Sequence, residues 1–161
     1  MGIEIERKFL LKNNEWRENI HSSTVFRQGY LNDTNYDNNT LSSVRVRIEG
    51  DQANINIKSM TLSITRQEYE YAIPLEDAEK LLNDLCAKPL IEKTRHIVYE
   101  QGNKWEIDVF EGDNKGLIVA EIELESEDSQ LSLPTWVAEE VSDQEKYYNV
   151  CLVKNPYSQW T

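Results

Sequence analysis

The chain has 161 residues, of which 29 are acidic and 17 basic, for a formal net charge of −12. A field of that sign disfavours nucleic acid and anionic lipid surfaces as partners, and a mean hydropathy of −0.64 without any long apolar run provides no membrane-spanning helix. The two cysteines, Cys86 and Cys151, stand in apolar helical surroundings, which predicts reduced structural thiols in a cytoplasmic protein. From Met1 the sequence runs straight into a strand, Ile3-Glu4-Ile5-Glu6-Arg7-Lys8-Phe9-Leu10, with no secretory h-region before it. Alternation in that strand sends Glu4, Glu6 and Lys8 to one face and Ile3, Ile5, Arg7 and Phe9 to the other. Residues 13–20 read as a short helix or turn around Trp16, and residues 24–31 as a strand. The stretch 32–40 is a loop too polar to bury itself. Strands follow at 41–49 and 53–59, joined by a Gly50-Asp51 turn, and at 63–73, closed by Pro74.

There the period changes. Leu75, Ala78, Leu81, Leu82 and Leu85 have the spacing of an amphipathic helix over 75–87, with Glu76, Asp77 and Glu79 at its start, where the helix dipole favours them. Strands are predicted at 90–100, 104–111 and 117–126. Pro134 is expected to open a short helix through Val141. Ser142 then reads as the N-cap of a second helix, with Glu145 as its capping-box partner and Pro156 as its end. With no internal repeat or linker, residues 1–161 are expected to form a single domain of about eight strands with inserted helices.

Parity then sorts the charges. Arg45 and Arg47 share a face opposite Val44, Val46 and Ile48. Asn54, Asn56 and Lys58 oppose Ile55 and Ile57; Arg66, Glu68 and Glu70 oppose Tyr69 and Tyr71. Lys93 and Arg95 lie together, as do Glu106 and Asp108, and Glu121, Glu123 and Glu125. An ordinary antiparallel sheet with one wet face also alternates. Here, however, the polar faces are almost wholly ionised, several strands carry one sign only, and the helices need an apolar sheet face to cover. Helices outside and charge inside imply a closed antiparallel barrel with an ionised lumen.

In such a lumen, Lys8, Arg45, Arg47, Lys58, Lys93 and Arg95 suit a polyanion with several phosphoryl groups. Glu4, Glu6, Glu121 and Glu123, with Asp108 as a further candidate, are hard oxygen ligands for Mg²⁺ or Mn²⁺. No Cys/His cluster is set up for zinc, and neither a P-loop nor a G-x-S-x-G elbow is present.

The ordered set Glu4-x-Glu6-x-Lys8, Gln28-Gly29-Tyr30-Leu31, Val44-Arg45-Val46-Arg47, Ile57-Lys58, Glu68/Glu70, Lys93-Thr94-Arg95, Trp105-Glu106-Ile107-Asp108 and Ala120-Glu121-Ile122-Glu123-Leu124 resembles the CYTH family of triphosphate tunnel metalloenzymes. The C-terminal stretch 136–156 further resembles its short, single-domain bacterial branch. The resemblance covers almost the whole chain. It implies an α+β fold with an eight-stranded closed β-barrel, helices packed outside and a C-terminal helix near one mouth. It also implies metal-dependent hydrolysis of a triphosphate phosphoanhydride, foremost that of inorganic triphosphate. Glu4, Glu6, Glu121 and Glu123 would hold metal; Lys8, Arg45, Arg47, Lys58, Lys93 and Arg95 would hold phosphates. Glu4, Glu6 and Lys93 would carry the chemistry, with Lys93 assigned first to phosphate binding. Tyr30, Arg66, Glu68, Glu70 and Asp108 are further candidates. The expected partner is a small-molecule triphosphate, with no nucleic acid and no membrane, on a monomer or homodimer. Adenylyl cyclase and thiamine triphosphatase chemistry in the same tunnel are the alternatives, the latter with Trp16, Tyr30 or Tyr36 as an aromatic platform. A non-catalytic polyphosphate-binding module is a third.

Overall fold

The computed structural model describes residues 2–34 and 39–160. These form nine strands: β1 (Ile3–Leu11), β2 (Ile20–Tyr30), β3 (Ser42–Glu49), β4 (Gln52–Ser59), β5 (Thr65–Ala72), β6 (Ile91–Glu100), β7 (Asn103–Phe110), β8 (Ile118–Glu123) and β9 (Val137–Glu140). Two α-helices, α1 (Leu75–Asp84) and α2 (Asn149–Leu152), accompany them. The strands run antiparallel in the order β5-β4-β3-β2-β6-β7-β8-β1-β9, and the sheet closes where β1 also pairs with β5 through Ile3↔Gln67, Glu4↔Arg66 and Ile5↔Thr65. Eight strands thus make a closed barrel with a short β1–β5 seam, and β9 is added beside β1. Two tight hairpins fix the register. Gly50, at φ +63°, opens the turn between β3 and β4, and Gln101-Gly102, at φ +53° and +78°, joins β6 to β7. None of the helices among the described residues is long and apolar enough to cross a membrane.

Strand β1 is the hub. One of its edges pairs with β8, through Glu6↔Glu123 and Lys8↔Glu121. Its other edge meets β5 at the start and β9 at the end, through Phe9↔Glu140 and Leu11↔Val137. The handover leaves one rung without a strand, and a side chain fills it. The Lys8 backbone N–H donates to Ser142 Oγ at 2.9 Å, while the Val141 N–H donates to the Lys8 carbonyl at 2.9 Å.

Two expectations fail in this region for the same reason. The segment after Pro134 is not a helix; its last residues are the strand β9. The part of β1 beyond β5 offers open backbone groups, and pairing with them outweighs the helix preference of Ala138, Glu139 and Glu140. Ser142 does not cap a helix either. Its hydroxyl serves Lys8 and also donates to Glu140 Oε2 at 2.7 Å. The helix expected after it is reduced to a 3₁₀ turn, Glu145–Tyr147, and the four residues of α2, and Pro156 leads into a further 3₁₀ turn, Tyr157–Gln159.

The apolar outer wall has two different covers. Over β3 and β4 it is the expected helix: Ala78 and Leu82 of α1 pack on Val46, Ile48 and Ala53. Gly29 permits the close approach of this layer, because a Cβ there would sit 2.8 Å from both Cys86 Cβ and Leu90 Cδ2. On the opposite wall Phe9, Val98, Trp105, Ile107, Ala120 and Ile122 are covered by side chains from irregular chain. These are Trp16 of a 3₁₀ segment (Glu15–Asn19) and Trp136 beside β9. Trp105 meets Phe9 and Trp136 edge-on, with ring centroids 5.7 and 5.4 Å apart. Leu152 of α2 packs with Ile91, Phe110, Leu117 and Val119 and closes one end of the barrel.

Candidate active site

With the outer face committed to this packing, the opposite parity faces inward. Strand β1 presents Glu4, Glu6 and Lys8; β3 presents Ser43, Arg45 and Arg47; β4 presents Asn56 and Lys58; β5 presents Arg66, Glu68 and Glu70. Lys93 and Arg95 come from β6, Glu106 from β7, and Glu121 and Glu123 from β8. Together with Tyr30, Tyr148, Asn149 and Val150 they line one cavity. All the site residues predicted from the sequence line it except Asp108. That carboxylate is fully buried behind Lys93 and Arg95. Trp16, considered as an aromatic platform, lies in the outer wall with no exposure, and Tyr36 falls outside the described residues.

Most of the cations are already neutralised. Arg95 donates from Nη1 to Glu106 at 2.7 Å, from Nε and Nη2 to Asp108 at 2.8 and 2.9 Å, and from Nη2 to Glu121 at 3.3 Å. Lys93 Nζ donates to Asp108 Oδ2 at 2.7 Å. Lys8 Nζ lies 2.9 Å from both Glu6 and Glu121, and Lys58 Nζ lies 3.1 Å from both Glu4 and Glu68. Strand β3 differs. Among the described residues Arg45 makes no ion pair; its Nε is buried without an acceptor, and its side chain meets the Tyr30 hydroxyl. Arg47 Nε is 3.0 Å from Glu49, but at an angle too poor for a hydrogen bond, and the guanidinium stacks 4.9 Å over Phe26.

The carboxylates separate into two sets. Glu4, Glu6 and Glu123 each offer one oxygen, and the three atoms lie within 4.8 Å of one another. Three convergent carboxylate oxygens, with neither nitrogen nor sulfur among them, fit a hard divalent cation. Glu121 stands apart from this trio, turned to Lys8 and Arg95 and hydrogen-bonded to Glu6. Burial and the neighbouring Glu121 charge drive the Glu6 carboxyl upward. Its partner Glu121 goes the other way, held far below the usual carboxylate range by Lys8 against its own burial. Burial lowers Lys93 to about 8 despite Asp108. Burial, with Arg45 and Arg95 nearby, lowers Arg47 to about 10.

Alternation put Asn56 and Glu106 on the lumen face without naming them site residues, and sequence reasoning missed Ser43, Tyr148, Asn149 and Val150 as lining residues. Ser43 has the parity of Arg45, so a stricter use of alternation finds it. The last three come from the chain segment that closes the barrel and have no such signal.

The comparisons with known proteins agree with this architecture. The CYTH domain model matches residues 2–153. The chain is 41% identical to an inorganic triphosphatase of Acetivibrio thermocellus, over 98% of this chain and 97% of that one. It is 36% identical to an inorganic triphosphatase of Nitrosomonas europaea, over 92% and 95%. A solved inorganic triphosphatase structure superposes with a TM-score of 0.63 at 33% identity, covering 93% of each chain. With its closed ionised barrel and a domain match that spans every described strand, this chain belongs to the CYTH domain family.

Proposed function

We propose that the protein is a metal-dependent triphosphatase that hydrolyses inorganic triphosphate to pyrophosphate and phosphate. The observation that carries this is the division of the cavity: Glu4, Glu6 and Glu123 converge on one wall, while Arg45 and Arg47 stand on another without full carboxylate partners. A module that only captured polyanions would need the cations and not the convergent carboxylates. The relatives named inorganic triphosphatase support the same reading.

Glu4, Glu6 and Glu123 would hold Mg²⁺ or Mn²⁺, which when bound supplies Lewis-acid neutralisation of the charge that develops in phosphoryl transfer. The chain's own groups do the rest. Arg45 and Arg47 offer planar donor forks to phosphate oxygens, and they are desolvated before substrate arrives, so little reorganisation is needed. Lys93 and Arg95, braced by Asp108, present donors at fixed positions. Tyr30, Tyr148 and Val150 are the only aromatic or apolar members of the described lining, which favours a bare polyphosphate over one carrying a nucleoside or thiamine. The two free thiols, Cys86 and Cys151, suit a reducing cytoplasm.

The test is phosphate release from inorganic triphosphate, ATP and thiamine triphosphate, each with Mg²⁺, Mn²⁺ or EDTA. Metal-dependent release from inorganic triphosphate, at least about tenfold faster than from the other two, is expected. Binding without release would make the protein a capture module, and cyclic AMP from ATP would make it a cyclase. Replacing Glu4 and Glu6 together with Gln should lower metal-dependent turnover by about a thousandfold or more. Turnover that survives this change would overturn the metal assignment.

A further inference from the structure

One side chain at the closed end of the cavity has no part in the chemistry described so far. Asn149, the first residue of α2, lines the cavity, and its Oδ1 accepts two hydrogen bonds. One comes from Lys93 Nζ at 3.0 Å and the other from Gln28 Nε2 at 3.2 Å. Both donor residues are deeply buried, Lys93 at 2% exposure and Gln28 at 0%. This double acceptance fixes the sense of the amide, because the flipped form would set an NH₂ group against an ammonium and a second NH₂.

Lys93 has three N–H bonds to place. Asp108 takes one at 2.7 Å and Asn149 another at 3.0 Å, which leaves one for an anion in the cavity that Lys93 lines. Phe26 and Phe110 flank the ammonium, with ring centroids 5.7 and 5.5 Å from Nζ. Two acceptors and two ring faces therefore set where the remaining N–H points. An aspartate in place of Asn149 would orient the ammonium as well. It would also add a negative charge to a space that must admit a polyanion, which a neutral amide avoids.

We propose that Asn149 is a positioning residue for phosphate binding: docking of α2 brings its carbonyl oxygen onto Lys93 and aims the ammonium's remaining N–H at the substrate's phosphate oxygens. End closure and ammonium orientation are then a single event, relayed from Gln28 on β2 through α2 to β6. The proposal rests on the triphosphatase reading, and its test separates the two.

Asn149→Ala and Asn149→Asp are compared with the unaltered protein in two measurements. The first is steady-state hydrolysis of inorganic triphosphate across pH. The second is an NMR titration of the Lys93 side chain, whose charged neighbours are Asp108, Arg95 and Glu121. Asn149→Ala should lower kcat about tenfold with KM within about threefold. It should also move the Lys93 titration and the alkaline limb to lower pH, because the ammonium has lost an acceptor. Asn149→Asp should move both to higher pH and raise KM about tenfold. Unchanged kinetics and an unmoved titration in both variants would overturn the proposal. So would equal losses of kcat that only track a fall in Tm, with the Lys93 titration in place. If the unaltered protein releases no phosphate, the triphosphatase reading fails instead. The NMR titration needs no turnover and still decides whether Asn149 sets the state of Lys93.

Discussion

On β6, Lys93 and Arg95 are buried against carboxylates: Asp108 bridges the two, and Glu106 and Glu121 take the rest of the Arg95 fork. On β3, Arg45 and Arg47 are buried to a similar degree, at 7% and 9% exposure, yet neither has a well-formed carboxylate hydrogen bond among the described residues. Removing a charge from water costs several kcal/mol unless a partner offsets it. The β6 cations are thus charge-neutralised whether or not a ligand is present, with one Lys93 N–H still open to the cavity. The β3 cations are held at a cost that, on the proposed function, an arriving anion would relieve, converting lost stability into affinity. Two Arg/Lys strands that look alike in sequence differ because only one of them meets carboxylates in hydrogen-bonding geometry.

The strongest way to break this contrast is to remove the counter-charge on the β6 side. Asp108→Ala leaves two buried cations short of an acceptor and should lower the unfolding free energy by about 3–5 kcal/mol, measured by urea denaturation. A loss below about 1 kcal/mol would mean that water screens these cations and that the two strands are alike. The converse change sharpens the contrast. Arg45→Met deletes an unpaired buried charge and should leave the protein about 1–2 kcal/mol more stable, while turnover of triphosphate falls at least about tenfold. If Arg45→Met destabilises the fold, the guanidinium is structural and β3 is not poised for a ligand. The smallest effect is expected outside the barrel. Arg7 and Glu140 form a bidentate pair at 2.7 and 2.9 Å, with side chains 26% and 37% exposed, and Arg7→Ala should cost about 1 kcal/mol or less with turnover unchanged.

The lumen was legible because period two is strict. Once Ile5, Val46, Ile107 and Ile122 are assigned to the outer wall, Glu6, Arg45, Arg47, Asp108 and Glu121 have nowhere to go but inward. Alternation does not say which charges meet across strands. That Glu123, not Glu121, joins Glu4 and Glu6 goes with the register that sets Glu123 opposite Glu6, and Asp108 is withdrawn by its ion pairs with Lys93 and Arg95 while Glu106 reaches the cavity. The C-terminal segment was misread for a related reason. Residues 137–140 carry no strand pattern of their own; an unpaired stretch of β1 imposes it. The role of Asn149 was equally hidden, since nothing local distinguishes it from any other asparagine near a helix start.

The rung that Ser142 fills on β1 has a consequence for how the molecule comes into being. Of the nine strands β1 is made first, but its partners are residues 65–67, then 120–123, and finally 137–142. As the chain leaves the ribosome, the strand that brings Glu4, Glu6 and Lys8 must wait for well over a hundred residues before its last neighbour exists. Closure of the ring is therefore a late step governed by distant contacts, the kind that makes folding slow. A nascent chain stalled before Ser142 would show an unfinished strand edge to its neighbours, which makes synthesis through that residue a safeguard against premature association.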